Sequence, residues 1–150
     1  MKRRTRQQLI AELKKRGIEI KSLGPSAKPD KIARAARELA QEIPPTLQEI
    51  YRAFNGLRGT TNAGFLWPLF GDQGMVPYNT FIRQQEFSPS WISDVIFFGG
   101  NGIGDYWGIN VKRPSKVLAW RPIDGEEFEI AGRSIIDVWE KEQHSYESLE

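Results

Sequence analysis

The side chains that most often carry chemistry are scarce in this chain of 150 residues, which holds no cysteine and a single histidine, His144. Without thiols, the chain cannot form disulfides, cysteine-ligated zinc or iron–sulfur sites, or a cysteine nucleophile. His144 stands in a polar C-terminal stretch, and Ser134 lacks the G-x-S-x-G frame of a nucleophile elbow. We therefore predict no catalytic residue, no metal and no cofactor.

A glycine-rich stretch at residues 99–104 (GGNGIG) follows an apolar run, as a phosphate-binding loop would. Neither the G-x-G-x-x-G spacing nor a G-K-[ST] ending is present. The residues that follow, Asp105 to Ile109, have the pattern of a strand, so no helix N-terminus is available to bind an anion. The stretch therefore predicts a hairpin loop.

Carboxylates are the remaining candidates for acid–base chemistry. Those that crowd the later turns are Asp105, Asp124, Glu126, Glu127 and Glu129. Glu127 and Glu129 alternate with apolar residues, which is typical of a strand with one solvated face. We expect these acids to form a solvated surface or a docking patch for a basic partner. A hydrolase built on them is the least favoured alternative.

The net charge of +2 hides an uneven distribution. Residues 1–58 hold 14 Lys and Arg against 6 Asp and Glu, a net charge of +8, whereas residues 59–150 hold 7 against 13, a net charge of −6. The two parts can attract each other within one fold or face two different partners. The basic N-terminal run lacks the interleaved aromatic residues of single-strand binders, so a solvated amphipathic helix is favoured over a phosphate-binding arm.

The first 30 residues predict a basic helix and a linker. Thr5 and Gln8 have the spacing of a capping box, and Gly17 is placed to end the helix. Residues 21–30 combine two prolines and a glycine, which is typical of a linker.

Two further helices are expected before residue 57. Asp30 suits the N-cap of the first, and the diproline at residues 44–45 stops it. Thr46 and Glu49 form a second capping box that opens the next helix, which Asn55-Gly56 ends.

Beyond residue 59 the apolar period changes from helical to alternating. Strands are predicted near residues 94–98, 107–111, 117–120 and 128–130, with turn residues between them. Ser134 then caps a last helix, while residues 78–87 fit either a short helix or irregular structure. Helices at both ends of a run of hairpin strands predict an α+β fold with an antiparallel meander.

Five tryptophans are plentiful for this length, and we expect most of them in the core. Trp67 and Trp91 sit at the edges of predicted elements. Because tryptophan is enriched in binding hot spots, we expect one or both of these to be exposed at an interface.

The domain organisation expected is a basic helical arm and linker at residues 1–29, a single domain at 30–142 and a polar tail at 143–150. No stretch reaches the length of about 18 apolar residues that a membrane helix needs. The basic N-terminus has no apolar run behind it, so we expect no secretory signal and a cytoplasmic location.

Five segments stand in a characteristic order: residues 43–56, 65–69, 97–107, 117–127 and 135–139. Taken together they resemble the SUKH superfamily, which includes the fungal Smi/Knr cell-wall-synthesis regulators and many bacterial toxin-immunity proteins. Residues 43–56 (IPPTLQEIYRAFNG) resemble its hydrophobic-Pro, short-helix, aromatic-Asn-Gly signature, and residues 65–69 (FLWPL) its first strand. Residues 97–107 (FFGGNGIGDYW) resemble its glycine hairpin. Residues 117–127 resemble its penultimate strand and acidic turn, and residues 135–139 its closing helix.

The resemblance spans residues 30–142 and implies a non-enzymatic α+β domain whose sheet face and glycine hairpin form a protein-docking surface. In bacteria it implies an immunity protein that neutralises a toxin domain, often a nuclease. We expect aromatic residues to anchor the centre of such a complex and acids to face basic residues of the toxin. The predicted partner-binding residues are Trp67, Asp105, Tyr106, Asp124 and Glu126.

Two alternatives to an immunity protein stay open from the sequence. The first is a regulatory scaffold closer to the cell-wall regulators, with no toxin partner. The second is a nucleic-acid binder that uses the basic N-terminal helix. The oligomeric state is left open.

Overall fold

The computed structural model describes residues 3–58, 65–86 and 88–147, which form five helices and one four-stranded sheet. The helices are α1 (Arg6–Lys15), α2 (Pro29–Leu39), α3 (Pro45–Ala53), α4 (Met75–Arg83) and α5 (Ile135–Glu147). The strands are β1 (Val95–Gly100), β2 (Tyr106–Asn110), β3 (Val117–Trp120) and β4 (Phe128–Gly132). Each strand pairs antiparallel with the next, in the order β1-β2-β3-β4. The prediction of an α+β fold with an antiparallel meander is confirmed.

Helix α1 begins and ends as its sequence predicts. The backbone N–H of Gln8 donates to Thr5 Oγ1 at 3.1 Å, and the backbone N–H of Thr5 donates to Gln8 Oε1 at 2.8 Å. Gly17 has a φ of +74°, the left-handed conformation that ends many helices. Leu9 and Leu13 are fully buried in the same core as the sheet, so this helix is packed onto the rest of the chain.

The N-caps predicted for α2 and α3 are wrong. Helix α2 begins at Pro29 and α3 at Pro45, so neither Asp30 nor Thr46 occupies the cap. Proline has its φ fixed near the helical value and has no N–H to satisfy, which favours it in the first turn of a helix. The carboxylate of Glu49, expected to complete a capping box, instead accepts hydrogen bonds from Arg4.

The segment at residues 65–67 is not a strand, contrary to the expectation drawn from the resemblance. Single hydrogen bonds hold it: Leu57 N–H donates to Leu66 O at 3.1 Å, and Trp67 N–H donates to Phe98 O at 2.8 Å. These bonds do not make a ladder. Of the two alternatives for residues 78–87, the structure has a helix, α4, which begins earlier, at Met75.

Helix α5 packs on the sheet and closes the core. Trp139 stacks on Phe65 with ring centroids 5.3 Å apart and meets Phe54 edge to face at 6.2 Å. Its N-terminus follows the prediction, because the backbone N–H of Asp137 donates to Ser134 Oγ at 3.1 Å. The helix continues into the segment assigned to the tail, where Gln143 is buried and accepts from the backbone N–H of Glu19. None of the described helices is long and apolar enough to cross a membrane.

Candidate interaction surface

The glycine-rich stretch forms the β1–β2 hairpin loop, as predicted. Gly102 and Gly104 have φ values of +79° and +108°, which suit glycine in a tight reversal. Asn101 Oδ1 accepts from the backbone N–H groups of Ile103 and Asp105, at 3.0 and 3.1 Å. The side chain of one loop residue therefore organises the turn.

Asp105 ties this loop to the end of β3. Its carboxylate accepts from Arg121 Nε at 2.6 Å and Arg121 Nη2 at 2.8 Å, and from Asn101 Nδ2 at 2.6 Å. The hydrogen bonds from Arg121 hold the pKa of Asp105 below its ordinary value, against the opposing effect of partial burial. Asp105 thus has partners inside the chain, and its contribution to partner binding stays a prediction.

Trp67 and Tyr106, both predicted to bind the partner, lie together in an aromatic cluster with Tyr78. The rings of Trp67 and Tyr78 stack with centroids 4.3 Å apart, and Trp67 meets Tyr106 edge to face at 5.9 Å. With Gly100 and Asp105 they line a cavity of about 550 Å³. Trp67 is only 7% exposed, so the prediction that it is exposed is wrong; the stacked Tyr78 covers it.

The indoles of two tryptophans fix the β3–β4 turn. Trp120 Nε1 donates to the backbone O of Gly125 at 2.8 Å, and Trp91 Nε1 donates to the backbone O of Glu126 at 2.9 Å. Trp91 itself is half-buried rather than exposed. The predicted partner-binding residues Asp124 and Glu126 belong to this turn, and both are exposed.

The five predicted binding residues thus form two groups, Trp67, Asp105 and Tyr106 around the hairpin and Asp124 with Glu126 on the turn. Tyr106 and Glu126 both line a second cavity of about 900 Å³. Phe81 of α4 lines the same cavity. Phe81 is exposed and was missed by the sequence analysis. Its sequence signal is weak because it is one apolar residue among several in α4.

The segment from residue 121 to residue 130 is exposed throughout, which the sequence does not predict. Its apolar side chains are exposed by 88% at Ile123, 43% at Phe128 and 55% at Ile130. The alternation of Phe128 and Ile130 with glutamates led us to expect these two on a covered face. Among the described residues, the cover on their face ends at Trp91, whose ring meets that of Phe128 at 5.0 Å.

The two edges of the sheet differ in how their backbone is satisfied. On β1, all of whose residues are buried, the Asn79 amide donates to Phe97 O at 2.7 Å and accepts from Phe97 N–H at 2.8 Å. Arg83 Nη2 donates to Val95 O at 3.0 Å. Helix α4 therefore closes this edge in place of a further strand.

The edge at β4 is open over most of its length. Among the described residues, no strand pairs with its outer side. Helix α5 reaches only its C-terminal end, where Lys141 Nζ donates to Ala131 O at 3.2 Å and Val138 lies against Gly132. Phe128 to Ile130 are exposed, and none of the described residues covers them in this way. This stretch and the β3–β4 turn, residues 121–130, are called the β4 edge below.

The arginines that flank α1 on either side are paired within the molecule. Arg4 pairs with Glu49 at 2.7 Å and also with Glu12. Arg16 pairs with Asp137 of α5 at 2.6 Å and with Glu12 at 3.0 Å. Partial burial raises the pKa of Glu49, but the hydrogen bonds and the positive charge of Arg4 together hold it below its ordinary value. Arginines of the positively charged N-terminal part are therefore paired with acidic residues of the same chain.

No group of His, Asp or Glu side chains in the described part of the chain is arranged to hold a metal ion.

Comparison with known families identifies a match over most of the chain. The model of the SMI1 / KNR4 family (SUKH-1) matches residues 26–137, which is most of the chain. The match begins in the linker before α2 and ends within α5, and it leaves α1 outside. No curated protein matches the chain.

Proposed function

The chain belongs to the SMI1/KNR4 family (SUKH-1), and from this membership we propose that it is a non-catalytic protein-binding domain that acts in the cytoplasm. More specifically, we propose that it is an immunity protein that neutralises a toxin by one-to-one docking. The observation that carries this proposal is the β4 edge, where acids and apolar side chains are exposed side by side. Aromatic and aliphatic anchors within a charged rim are typical of protein interfaces.

The proposed mechanism is occlusion of the toxin's substrate site. A nuclease-type toxin holds its substrate with basic residues, because nucleic-acid affinity comes largely from phosphate contacts. Asp124 and Glu126 face these residues in the proposed complex and speed the encounter by electrostatic steering. Tyr106 lines one cavity with Glu126 of this surface, and Trp67 meets the ring of Tyr106 at 5.9 Å. No chemical step of this chain is required.

The test is capture of a partner followed by a toxicity assay. The chain is used as bait in lysate of its source cells, with and without added nuclease, and retained proteins are identified by mass spectrometry. Each retained protein is then expressed in a host cell with and without this chain. Growth arrest that co-expression relieves, with a one-to-one purified complex, supports the proposal. If no retained protein is toxic, the immunity function is wrong.

A regulatory scaffold is the second candidate, since the family takes its name from regulators as well as covering immunity proteins. In that case the retained protein is a housekeeping component that does not arrest growth. The same capture experiment therefore separates the two functions.

Nucleic-acid binding through α1 is the weaker alternative, because Arg4 and Arg16 are held by Glu49, Glu12 and Asp137. Lys14 and Lys15 remain exposed. Replacement of both by alanine abolishes salt-dependent binding of DNA or RNA if this alternative is correct. It leaves capture of the protein partner unchanged if the proposed function is correct.

A further inference from the structure

We propose that the β4 edge binds an extended, basic and apolar segment of the partner, which adds to the sheet as a fifth strand beside β4. The proposal deepens the proposed function and rests on it only for the identity of the partner. The pairing itself is a property of this chain and can be tested without the toxin.

The first argument is the difference between the two edges of the sheet. An edge strand presents unpaired N–H and C=O groups that can pair with another chain, and proteins usually cover or blunt such edges. Here α4 covers β1, since Asn79 satisfies both backbone groups of Phe97 and Arg83 reaches Val95 O. Over Phe128 to Ile130, β4 has no equivalent cover among the described residues.

The second argument is that the open edge is held in place before any partner arrives. Trp91 and Trp120 hold the backbone of Glu126 and Gly125, and the ring of Trp91 packs against Phe128. A strand fixed in this way loses little conformational freedom when it pairs, which favours binding. A mobile loop at the same position would lose more.

The chemistry of the occupant follows from the side chains of the edge. The exposed acids of this segment are Asp124, Glu126, Glu127 and Glu129, and its exposed apolar residues are Ile123, Phe128 and Ile130. The cation of the segment, Arg121, is paired with Asp105. The cations Arg133 and Lys141 lie at the C-terminal end of β4, and Lys141 donates to Ala131 O. A strand that alternates basic and apolar residues matches this pattern across the pair.

The same charges disfavour a second copy of this chain as the occupant. Two β4 strands placed side by side would bring Glu127 and Glu129 of each copy close to those of the other. Like charges opposite each other destabilise a strand pair. The edge therefore favours a partner of opposite charge over self-association.

The experiment uses the full chain and a short peptide of alternating lysine and valine as the probe. Amide hydrogen exchange is followed by NMR with and without the peptide. We expect slower exchange at every second residue of β4, because only alternate N–H groups of a strand point to one side. Exchange in β1 should be unchanged. Protection confined to other elements, or no binding of the peptide, overturns the proposal.

Two matched peptides separate backbone pairing from simple attraction of charges. One is the same peptide with every amide N-methylated, which keeps the side chains and removes the N–H donors from both edges of the strand. The other carries glutamate in place of lysine. Neither should protect β4. If the N-methylated peptide binds as well as the parent, the proposal is wrong, since the contact is then through side chains alone.

A charge reversal completes the test. Glu129→Lys should weaken binding of the lysine–valine peptide by about threefold to tenfold, the effect of an exposed attraction replaced by a repulsion. Glu42→Lys makes the same change of net charge at an exposed site between α2 and α3 and should have no such effect. Equal weakening by both variants overturns the role of the edge. The role of the edge is also overturned if the free chain sediments as a dimer and Glu129→Lys changes the amount of that dimer.

The experiments distinguish a failure of the proposed function from a failure of this inference. If the peptide protects β4 but no captured protein is toxic, the edge pairs as proposed and the immunity function is wrong. If a captured toxin is neutralised but its complex leaves the exchange of β4 unchanged, the function stands and the docking edge is elsewhere.

Discussion

The two outer strands of one sheet, β1 and β4, have opposite surroundings. On β1, helix α4 supplies hydrogen bonds from Asn79 and Arg83, and every residue is buried. On β4, the first three residues are exposed, and among the described residues the aromatic support ends at Trp91. In this sheet, side chains from another element close one edge strand, and the edge strand without them keeps its backbone groups accessible.

The largest expected effect comes from opening the closed edge. Asn79→Ala leaves the N–H and the C=O of Phe97 without partners in a fully buried position. Each buried unsatisfied group costs about 1–3 kcal/mol, so we expect a loss of about 3 kcal/mol in the free energy of unfolding. Urea unfolding measures this loss.

Thr80→Ala is the matched control for Asn79→Ala, because Thr80 is the exposed neighbour on the same helix. Its change should lie within about 0.5 kcal/mol. If Asn79→Ala is as mild as this control, then Asn79 does not close the β1 edge.

A smaller effect is expected when the open edge is loosened. Trp91→Phe keeps an aromatic ring beside Phe128 and removes the hydrogen bond to Glu126 O. A single hydrogen bond contributes about 1 kcal/mol, so stability falls by about that amount. Faster hydrogen exchange at residues 126–128, with β1 unchanged, is the specific readout. Unchanged exchange there contradicts the idea that Trp91 holds the edge.

Asp105 and Arg121 link the hairpin loop to the end of β3, and this pair should make the free energy of unfolding depend on pH. Hydrogen bonds from Arg121 hold the folded-state pKa of Asp105 below its unfolded value, so the carboxylate stabilises the fold above the unfolded pKa. That contribution is lost as the pH falls below about 4, the ordinary range of aspartate, through the folded-state pKa. Because the pair is partly exposed, the effect is modest.

Asp105→Asn and Arg121→Gln should each flatten the fall in stability between neutral and acid pH, measured by urea unfolding at several pH values. The double variant should behave as either single variant does. Additive effects of the two substitutions would contradict the assignment of the pKa shift to this pair.

The smallest effect on stability is expected at the most exposed apolar residue of the open edge. Ile123→Ser should change the free energy of unfolding by less than about 0.5 kcal/mol, because Ile123 is 88% exposed. It should still weaken capture of the partner if the β4 edge is the docking surface. Thermal unfolding and the capture assay together distinguish a residue that contributes to partner binding from one that contributes to stability.

The elements that the sequence predicted well are those set by local signals. The capping box of Thr5 and Gln8, the alternation through β2 and the cap at Ser134 each depend on residues a few positions apart. Such local preferences survive because tertiary packing agrees with them. The starts of α2 and α3 were misplaced because proline in the first turn outweighed the side-chain caps.

The sequence does not predict what surrounds each edge, because those surroundings depend on contacts between residues that are far apart in sequence. Asn79 and Phe97 are 18 positions apart, and nothing local marks Asn79 as a substitute for a strand. The alternation around Glu129 gives the face of each residue but not whether another element covers that face. For the same reason Trp67 was expected outside and lies under Tyr78.

The most direct test is hydrogen exchange of the purified complex between this chain and its captured partner, compared with the chain alone. We expect new protection at alternate amides of Phe128 to Ala131 and none at β1. Protection confined to the hairpin loop at residues 101–105, or to α1, would contradict the claim that the β4 edge is where the partner docks.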